Sequence, residues 1–284
     1  MGGRAGIRFF GLCVGWLAAG SAAAAPARAP VRPLPAAPDA ACRFESTGSG
    51  RVAAVPDGRS LTLEDGREVR LAGIETPPEP EAADPGARAS AAAAAKAALA
   101  LLALGKTVEL HQRASASDRY GRILAFVSLP DESEPSLAHA LLARGYARVA
   151  ASLDDVACTA ELLSRERVAR SQRLGLWGEA DYAVMSAESG ADLLGQQGRF
   201  AVVEGRVASV RESGGMIYMN FGRRWSQALT VTILKRHERS FAAAGLQPDR
   251  LWNLRLRVRG YIEERSGPRI EVTRPEQIEI AEGR

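Results

Sequence analysis

Cysteine and histidine are scarce in this sequence, which has three of each among 284 residues. Three cysteines are too few for a disulfide-rich miniprotein or a zinc-finger ligand set. The histidines, His111, His139 and His237, lie far apart without metal-ligand spacing, and they suggest no serine–histidine–aspartate arrangement. Aromatic residues make up only 6% of the chain, but 46% hydrophobic and 25% charged residues are globular proportions that exclude wholesale disorder.

A strong charge of one sign is also absent. The formal net charge is +4, which by itself is too small to indicate a nucleic-acid-binding protein. The charges are divided unevenly, because residues 42–180 carry 17 basic and 19 acidic side chains whereas residues 181–284 carry 16 basic and 13 acidic ones. Any electrostatic surface for an anionic polymer is therefore expected mainly in the second of these regions.

Long hydrophobic runs are limited to the N-terminus. Arg4 and Arg8 precede an uncharged apolar stretch, residues 9–25, that ends in small residues. This pattern over residues 1–25 predicts a secretory signal peptide, and the alternative, an uncleaved membrane anchor, has a short span. We therefore expect an exported protein, periplasmic or secreted, whose mature chain has no membrane span. Residues 26–41 contain five prolines and predict an extended linker rich in proline and alanine.

Two strand-rich regions follow the linker. In residues 42–180, period-two apolar patterns predict three strands, then a helix over residues 87–104, two further strands and two further helices. After a connector, residues 181–198, the order of three strands, helix and two strands recurs in residues 199–284. This is the order of the OB barrel. The predicted fold is mainly β with helices (α+β): a five-stranded OB-type barrel with flanking helices, followed by a second, smaller OB-like barrel.

Four segments of the first region stand in a distinctive order: VPDGRSLTLEDGREVRLAGIETPPEP, ASDRYGRILAFVSL, SLAHALLARGYARVAA and AELLSRERVARSQRLGLWGE. Together they cover about residues 50–178 and resemble the staphylococcal nuclease (thermonuclease) family. RLAGIETP and DRYGR in this order and spacing are specific, whereas either motif alone is weak. The resemblance implies an OB barrel that hydrolyses phosphodiester bonds of DNA and RNA with one calcium ion.

The resemblance also implies an arginine clamp for phosphate at Arg70 and Arg122. A planar guanidinium presents several donors to phosphate oxygens and stabilises the charge that builds up during attack at phosphorus. The alternative is that both are surface arginines paired with carboxylates. Arg119 and Tyr120 match the family's nucleotide pocket, but the position of a second pocket tyrosine holds Ala151.

The metal side matches less completely. A carboxylate ligand of the family falls on Glu75, a backbone carbonyl ligand on Thr76, and a supporting acid on Asp57. The other carboxylate position holds Arg59, whose positive charge opposes calcium binding.

The position of the family's general base also departs from the pattern. The family's glutamate falls on Pro78, which leaves Glu79 as the nearest candidate. Two functions stay open: metal-assisted hydrolysis of DNA or RNA, or a catalytically degenerate barrel that binds nucleic acid or an envelope protein. The arginine clamp favours the first function, whereas Arg59 and Pro78 favour the second. Single-stranded DNA or RNA is the expected partner of the nuclease and of a nucleic-acid-binding barrel, and the sequence identifies no particular protein partner.

The second region has two features of its own. Aromatic residues lie beside arginines over one stretch: Tyr218, Phe221, Arg223, Arg224 and Trp225. This composition is typical of a nucleic-acid-binding surface, but also of a barrel core with solvated arginines. Further on, period-two alternation predicts a strand with one arginine face that points outward as a basic stripe, formed by Arg255, Arg257 and Arg259.

Cys42 and Cys158 are the only cysteines after the predicted signal peptide. Because an exported chain enters an oxidising compartment, we predict that they form a disulfide. Its chain-entropy contribution to stability would be about 4–5 kcal/mol. The alternative is two buried thiols.

Overall fold

The computed structural model describes residues 42, 44–79, 86–112, 117–130, 134–153, 155–224 and 226–281. The predicted signal peptide (1–25), the predicted linker (26–41) and Trp225 lie outside these residues, and what the sequence predicts of them stays a prediction. None of the helices in the described ranges is long and apolar enough to cross a membrane.

The first sheet closes into a five-stranded barrel of order β1–β2–β3–β6–β5, which confirms the predicted OB-type architecture. In the third strand, Val69 and Leu71 are buried, and Glu68 and Arg70, which alternate with them, are more exposed. The period-two pattern therefore sets which side of the strand faces the core. The strands of this part of the chain are β1 (Glu45–Asp57), β2 (Ser60–Leu63), β3 (Glu68–Leu71), β4 (Ile74–Glu75), β5 (Thr107–Gln112), β6 (Ile123–Ser128) and β7 (Arg148–Val149).

Three helices flank the barrel: α1 (Ala87–Ala103), α2 (Leu137–Ala143) and α3 (Val156–Ser171). Ser136 and Asp155 cap the second and third helices, because their side chains accept hydrogen bonds from the first-turn N–H groups of His139 and Cys158. The small strands β4 and β7 pair with each other, which places Glu75 opposite Arg148. This pair lies outside the barrel sheet.

A second set of sheets, which we call the C-terminal module, spans residues 185–281. Its elements are β8 (Met185–Ser186), α4 (Gly190–Leu194), β9 (Phe200–Arg206), β10 (Ser209–Ser213), β11 (Met216–Asn220), β12 (Thr230–Leu234), α5 (Glu238–Ala243), β13 (Arg255–Tyr261), β14 (Glu263–Glu264), β15 (Pro268–Glu271) and β16 (Ile278–Ile280). They form a five-stranded sheet, β10–β11–β12–β15–β14, and a four-stranded sheet, β16–β13–β9–β8. The arrangement is compatible with a second, smaller barrel.

Short 3₁₀ helices complete the described secondary structure, at Gly175–Gly178, Ala180–Tyr182, Lys235–His237, Pro248–Leu251 and Pro275–Gln277. Residues 181–198, which the sequence predicts as a polar connector, contribute to the second set of sheets. β8 pairs in parallel with β9, and Ala187 and Leu193 are fully buried. The apolar residues of this segment are too few to show a strand or helix period, so the sequence does not reveal its packing.

The predicted outward basic stripe on β13 is wrong. Arg255 is exposed, but Arg257 is half-buried and Arg259 is fully buried. The alternation is correct, yet the arginine side of the strand faces carboxylates and the barrel's helix α3 instead of solvent. Nη1 of Arg259 lies 2.9 Å from Oε2 of Glu166 in that helix. A period-two pattern identifies two sides of a strand but does not show what covers the polar side.

Candidate functional site

The turn between β1 and β2 is fixed by Asp57. Its Oδ1 accepts a hydrogen bond of 2.8 Å from the backbone N–H of Arg59, and its Oδ2 accepts one of 3.0 Å from the hydroxyl of Ser60. Gly58 allows the turn to approach helix α1, because a Cβ atom there would lie 2.8 Å from the Cβ of Ala95. Asp57 therefore organises the turn that carries Arg59, and both of its carboxylate oxygens have a partner.

The guanidinium of Arg59 forms an ion pair with the carboxylate of Glu75, the residue at the family's metal-ligand position. The same guanidinium donates a hydrogen bond of 3.3 Å to the carbonyl oxygen of Ile74. Side-chain exposure is 16% for Arg59 and 15% for Glu75, so the pair is shielded from water. The ion pair thus occupies the region where the resemblance places calcium.

Tyr261, the last residue of β13, covers this ion pair from the C-terminal module. Its hydroxyl interacts electrostatically with the carboxylate of Glu75, and the two side chains line one cavity. Burial raises the pKa of Tyr261 to about 12, and the negative charge of Glu75 acts in the same direction, while the positive charge of Arg59 opposes it. Tyr261 is therefore protonated at neutral pH, and Glu75 interacts with both Arg59 and Tyr261.

These residues do not fit a calcium ion. Calcium takes about six to eight oxygen ligands and normally needs carboxylates among them. The carboxylate of Glu75 is paired with Arg59, and that of Asp57 is held within its turn. Thr76 is buried beside them, with 6% exposure, but it supplies one carbonyl oxygen at most. A guanidinium among the expected ligands adds repulsion to the missing donors.

The base position is equally unlike the family pattern. Glu79, the candidate general base, is exposed, and its Oε1 lies 3.8 Å from Nζ of Lys96 in helix α1. Pro78 lines the cavity next to Glu75 and carries no titratable group. The described contacts therefore place Glu79 in a surface ion pair with Lys96.

Of the two predicted clamp arginines, Arg70 lies in β3 and Arg122 lies immediately before β6, the neighbouring strand. The register partner of Arg70 in β6 is Leu124, two residues after Arg122. Nε and Nη2 of Arg122 lie 2.7 and 2.6 Å from Oδ2 of Asp118. Burial would raise the pKa of Asp118, but hydrogen bonds from the side chain and backbone of Arg122 and from the backbone of Tyr120 outweigh it and lower that pKa. Arg122 is thus held in place by a carboxylate that stays ionised.

Tyr120 projects from the turn before β6 and is 66% exposed. The Cζ atoms of Arg119 and Arg122 lie 4.8 and 5.2 Å from the centroid of its ring. Asp118 fixes the turn by accepting a hydrogen bond of 2.9 Å from the backbone N–H of Tyr120. An exposed aromatic ring between two guanidinium groups offers a base-stacking surface beside phosphate-binding charges.

Cys42 and Cys158 are joined by a disulfide, with their Cα atoms 4.5 Å apart. The bond connects the segment before β1 to the first turn of α3. Nearby, Nε2 of His139 lies 3.1 Å from Oε1 of Glu161, and its Nδ1 lies 2.7 Å from the hydroxyl of Ser136. Burial lowers the pKa of His139 to about 4. The sequence gives no sign of this cluster, because its members meet only when α2 packs on α3.

A cavity of about 120 Å³ lies beside the ion pair of Arg59 and Glu75. The barrel side of its lining includes these two residues and Arg148, and the later part of the chain contributes Arg199, Phe200 and Tyr261. Sequence reasoning missed the last four residues. Arg199 and Phe200 are adjacent, but Arg148 lies 51 positions before this pair and Tyr261 lies 61 positions after it, so no local spacing brings the four together.

The aromatic and arginine stretch of the C-terminal module is divided by the fold. Phe221 is in the core with 1% exposure, and Tyr218 is half-buried in β11. Arg223 and Arg224 are exposed and line a groove of about 590 Å³ together with Trp252, which is 63% exposed. The groove therefore keeps the basic part of the predicted surface, with Trp252 as an aromatic residue that the sequence analysis did not single out.

The closed five-stranded barrel with flanking helices and an arginine–tyrosine turn beside β6 defines an OB-type protein. Residues 68–179 match the family described as staphylococcal nuclease homologue, so the chain contains a staphylococcal nuclease-like domain. The match begins at the first residue of β3 and includes Arg70, Glu75 and Arg122, whereas Arg59 and Tyr261 lie outside it. The comparison with curated proteins gives no match.

Proposed function

We propose that this protein is an exported nucleic-acid-binding member of the nuclease family whose barrel does not carry out calcium-dependent hydrolysis. The observation that carries the proposal is the ion pair between Arg59 and Glu75, covered by the hydroxyl of Tyr261. Export rests on the N-terminal signal pattern of residues 1–25.

Electrostatics supports the absence of a calcium site. A divalent ion at about 5 Å from a guanidinium meets a repulsion on the order of several kcal/mol at an effective dielectric constant of about 20. Calcium would also have to displace two partners of Glu75, and the side chains of Arg59 and Glu75 are each less than one-fifth exposed. The metal would therefore have to break a shielded ion pair to gain one carboxylate.

The barrel surface supports nucleic-acid binding independently of the metal. Tyr120 offers an exposed ring, and Arg119 lies beside it with an exposed side chain. Arg70 in β3 and Arg122, immediately before the adjacent strand β6, lie next to this turn. Stacking of a base on an aromatic side chain is worth about 1–3 kcal/mol and is tolerant of sequence, which suits single-stranded DNA or RNA.

Calcium-dependent phosphodiester hydrolysis is the second candidate. It is favoured by the family match, which includes both clamp arginines and Glu75. In that case Glu75 would have to exchange Arg59 and Tyr261 for the metal when substrate binds.

One set of measurements separates the two candidates. The full chain is mixed with fluorescent single-stranded DNA or RNA, with calcium or with EDTA, and binding, cleavage and melting temperature are recorded. We expect binding in both conditions, no cleavage, and no rise of melting temperature with calcium, since a bound ligand must stabilise the folded state. Tyr120→Ala should weaken binding about tenfold, while Tyr120→Phe keeps the ring and should retain it. Calcium-dependent cleavage that is lost in Arg70→Ala would establish the second candidate instead.

A further inference from the structure

The 120 Å³ cavity beside Glu75 contains a buried arginine, Arg148, that forms no ion pair with any carboxylate of the described residues. We infer that this cavity is a binding site for a phosphate group, with Arg148 as its central ligand. The site is distinct from the predicted clamp of Arg70 and Arg122, neither of which lines the cavity.

Arg148 lies in β7 and is 4% exposed. Its Cζ atom is 5.3 Å from the ring centroid of Tyr182 and 5.2 Å from that of Phe200, so the guanidinium is flanked by two aromatic rings. Its Nε is buried without a hydrogen-bond acceptor, and within the described parts of the chain no carboxylate forms an ion pair with it. The aromatic rings fix the plane of the guanidinium but leave its hydrogen-bond donors without an anionic acceptor.

The carboxylates around Arg148 already have partners. In the cavity lining, Glu75 is bound by Arg59, and Asp181 lies 2.9 Å from Nε of Arg88. Glu166 also acts on Arg148 through its charge, but its oxygens are bound by the guanidinium groups of Arg259 and Arg170 and by a backbone N–H group. No described carboxylate is therefore left to neutralise Arg148.

Arg148 nevertheless remains charged. Burial lowers the pKa of its guanidinium to about 10, and the electrostatic interactions with Glu166, Tyr182 and Glu75 oppose that effect. A pKa near 10 keeps the group protonated at neutral pH. An unpaired buried charge is costly, and a bound anion removes that cost by supplying the missing acceptor.

The volume of the cavity limits the size of the anion that can bind in it. Pockets for drug-sized ligands measure about 300–1,000 Å³, so a cavity of 120 Å³ is too small for a whole nucleotide. A single tetrahedral phosphate group matches this volume better. Arg199 lies in the same lining and adds a second guanidinium. Planar guanidinium groups are suited to phosphate because they donate several hydrogen bonds in a fixed geometry.

Two sources supply this chemistry: free phosphate, or the terminal phosphate of a nucleic-acid strand. The inference does not depend on the proposed function, because inorganic phosphate tests it even if the protein binds no nucleic acid.

The first experiment measures the melting temperature of the full chain against increasing inorganic phosphate, at constant ionic strength set with chloride. We expect a saturable rise for the wild type, no rise for Arg148→Met, and an unchanged rise for Arg250→Met. Arg250 is an exposed arginine outside the cavity lining and serves as the matched control. Arg148→Met removes none of the ion pairs seen among the described residues, so it should fold with an unchanged or higher melting temperature in the absence of phosphate.

If Arg148→Met folds poorly, a second variant, Arg148→Lys, still tests the site. Phosphate binding to the wild type and to this variant is then measured by calorimetric titration. Arg148→Lys keeps the charge but not the planar fork, and it should weaken phosphate binding about tenfold or more. A wild-type chain that shows no phosphate-dependent stabilisation would overturn the inference without reference to any variant. An undiminished phosphate response in Arg148→Met would overturn it as well.

Oligonucleotides then distinguish the two sources. Strands with a 5′-phosphate, a 3′-phosphate or neither are compared for affinity to the wild type and to Arg148→Met. Tighter binding of a phosphorylated strand that disappears in Arg148→Met identifies the strand end as the ligand. Equal binding of all three strands, together with stabilisation by inorganic phosphate, identifies a free anion. Both results support a phosphate site at Arg148.

Discussion

Nη1 of Arg259 lies 2.9 Å from Oε2 of Glu166, and both side chains are fully buried. Arg259 belongs to β13 of the C-terminal module, whereas Glu166 is 93 positions earlier, in helix α3 beside the barrel. Glu166 also accepts a hydrogen bond of 2.6 Å from the backbone N–H of Val149, and Nη1 of Arg259 donates one of 3.1 Å to the carbonyl oxygen of the same residue. The ion pair therefore ties the two parts of the described chain together without contact with solvent.

Arg259→Ala should lower the free energy of unfolding by about 3–5 kcal/mol, because it leaves the buried carboxylate of Glu166 without its main partner. Arg255→Ala is the matched control, since Arg255 lies on the same side of the same strand and pairs with Glu204 near the surface. The control substitution should lower the free energy of unfolding by less than about 1 kcal/mol. Urea unfolding of both variants measures the difference, and equal losses would contradict the role assigned to Arg259.

Glu279 of β16 pairs with Arg259 and should make the stability of the chain depend on pH. Burial would raise its pKa, but the charges of Arg259, Arg170 and Arg257 outweigh burial and lower it below its ordinary value of 4.5. A lowered pKa contributes stability that is present above about pH 4.5 and is lost as the pH falls through the pKa of the folded state.

We therefore expect Glu279→Gln to lower the free energy of unfolding by about 3 kcal/mol at pH 7. The difference from the wild type should shrink as the pH falls below 4.5, because the wild-type carboxyl is then protonated as well. Urea unfolding at pH 7 and at successively lower pH measures both. A difference that stays constant down to acid pH would show that Glu279 acts through packing rather than through its charge.

Reduction of the bond between Cys42 and Cys158 should destabilise the chain. The two residues are 116 positions apart, and closing a loop of that length removes entropy worth about 4–5 kcal/mol from the unfolded state. Urea unfolding with and without a reductant measures the loss, with the double variant Cys42→Ser/Cys158→Ser as the control that should not respond to reductant. Alkylation of both cysteines in unreduced, denatured protein would contradict the bridge.

The architecture of the barrel follows from local patterns. Alternating apolar residues act within a few positions, and this pattern predicts the order of strands and helices. In contrast, the same alternation on β13 predicts an exposed stripe, whereas Arg259 is buried against α3. The partner that covers a polar side of a strand depends on tertiary packing, which has no local signal.

In the candidate site too, local motifs identify some residues, whereas their contacts depend on tertiary packing. The motifs locate Arg70, Arg122 and Tyr120, and they indicate that Arg59 interferes with a metal site. They do not reveal that Arg59 binds Glu75, because that pairing depends on the course of the chain after each strand. They also give no sign of Tyr261, since its approach to Glu75 requires the packing of the C-terminal module against the barrel.

Arg59→Asp tests whether the missing calcium site is the result of one substitution. The change removes the guanidinium that binds Glu75 and supplies a carboxylate at the position where the family has one. We expect calcium to raise the melting temperature of this variant and not that of the wild type.

Arg51→Asp is the control, because it makes the same change of charge at an exposed position of β1, where Arg51 lies 3.2 Å from Glu64. It should give no response to calcium. Cleavage of single-stranded DNA by Arg59→Asp should remain weak even when calcium binds, since Pro78 provides no general base and such a base contributes about 10²–10⁴-fold to the rate. If calcium stabilises neither variant, or stabilises both equally, the ion pair of Arg59 and Glu75 is not what prevents metal binding, and Tyr261 becomes the next residue to replace.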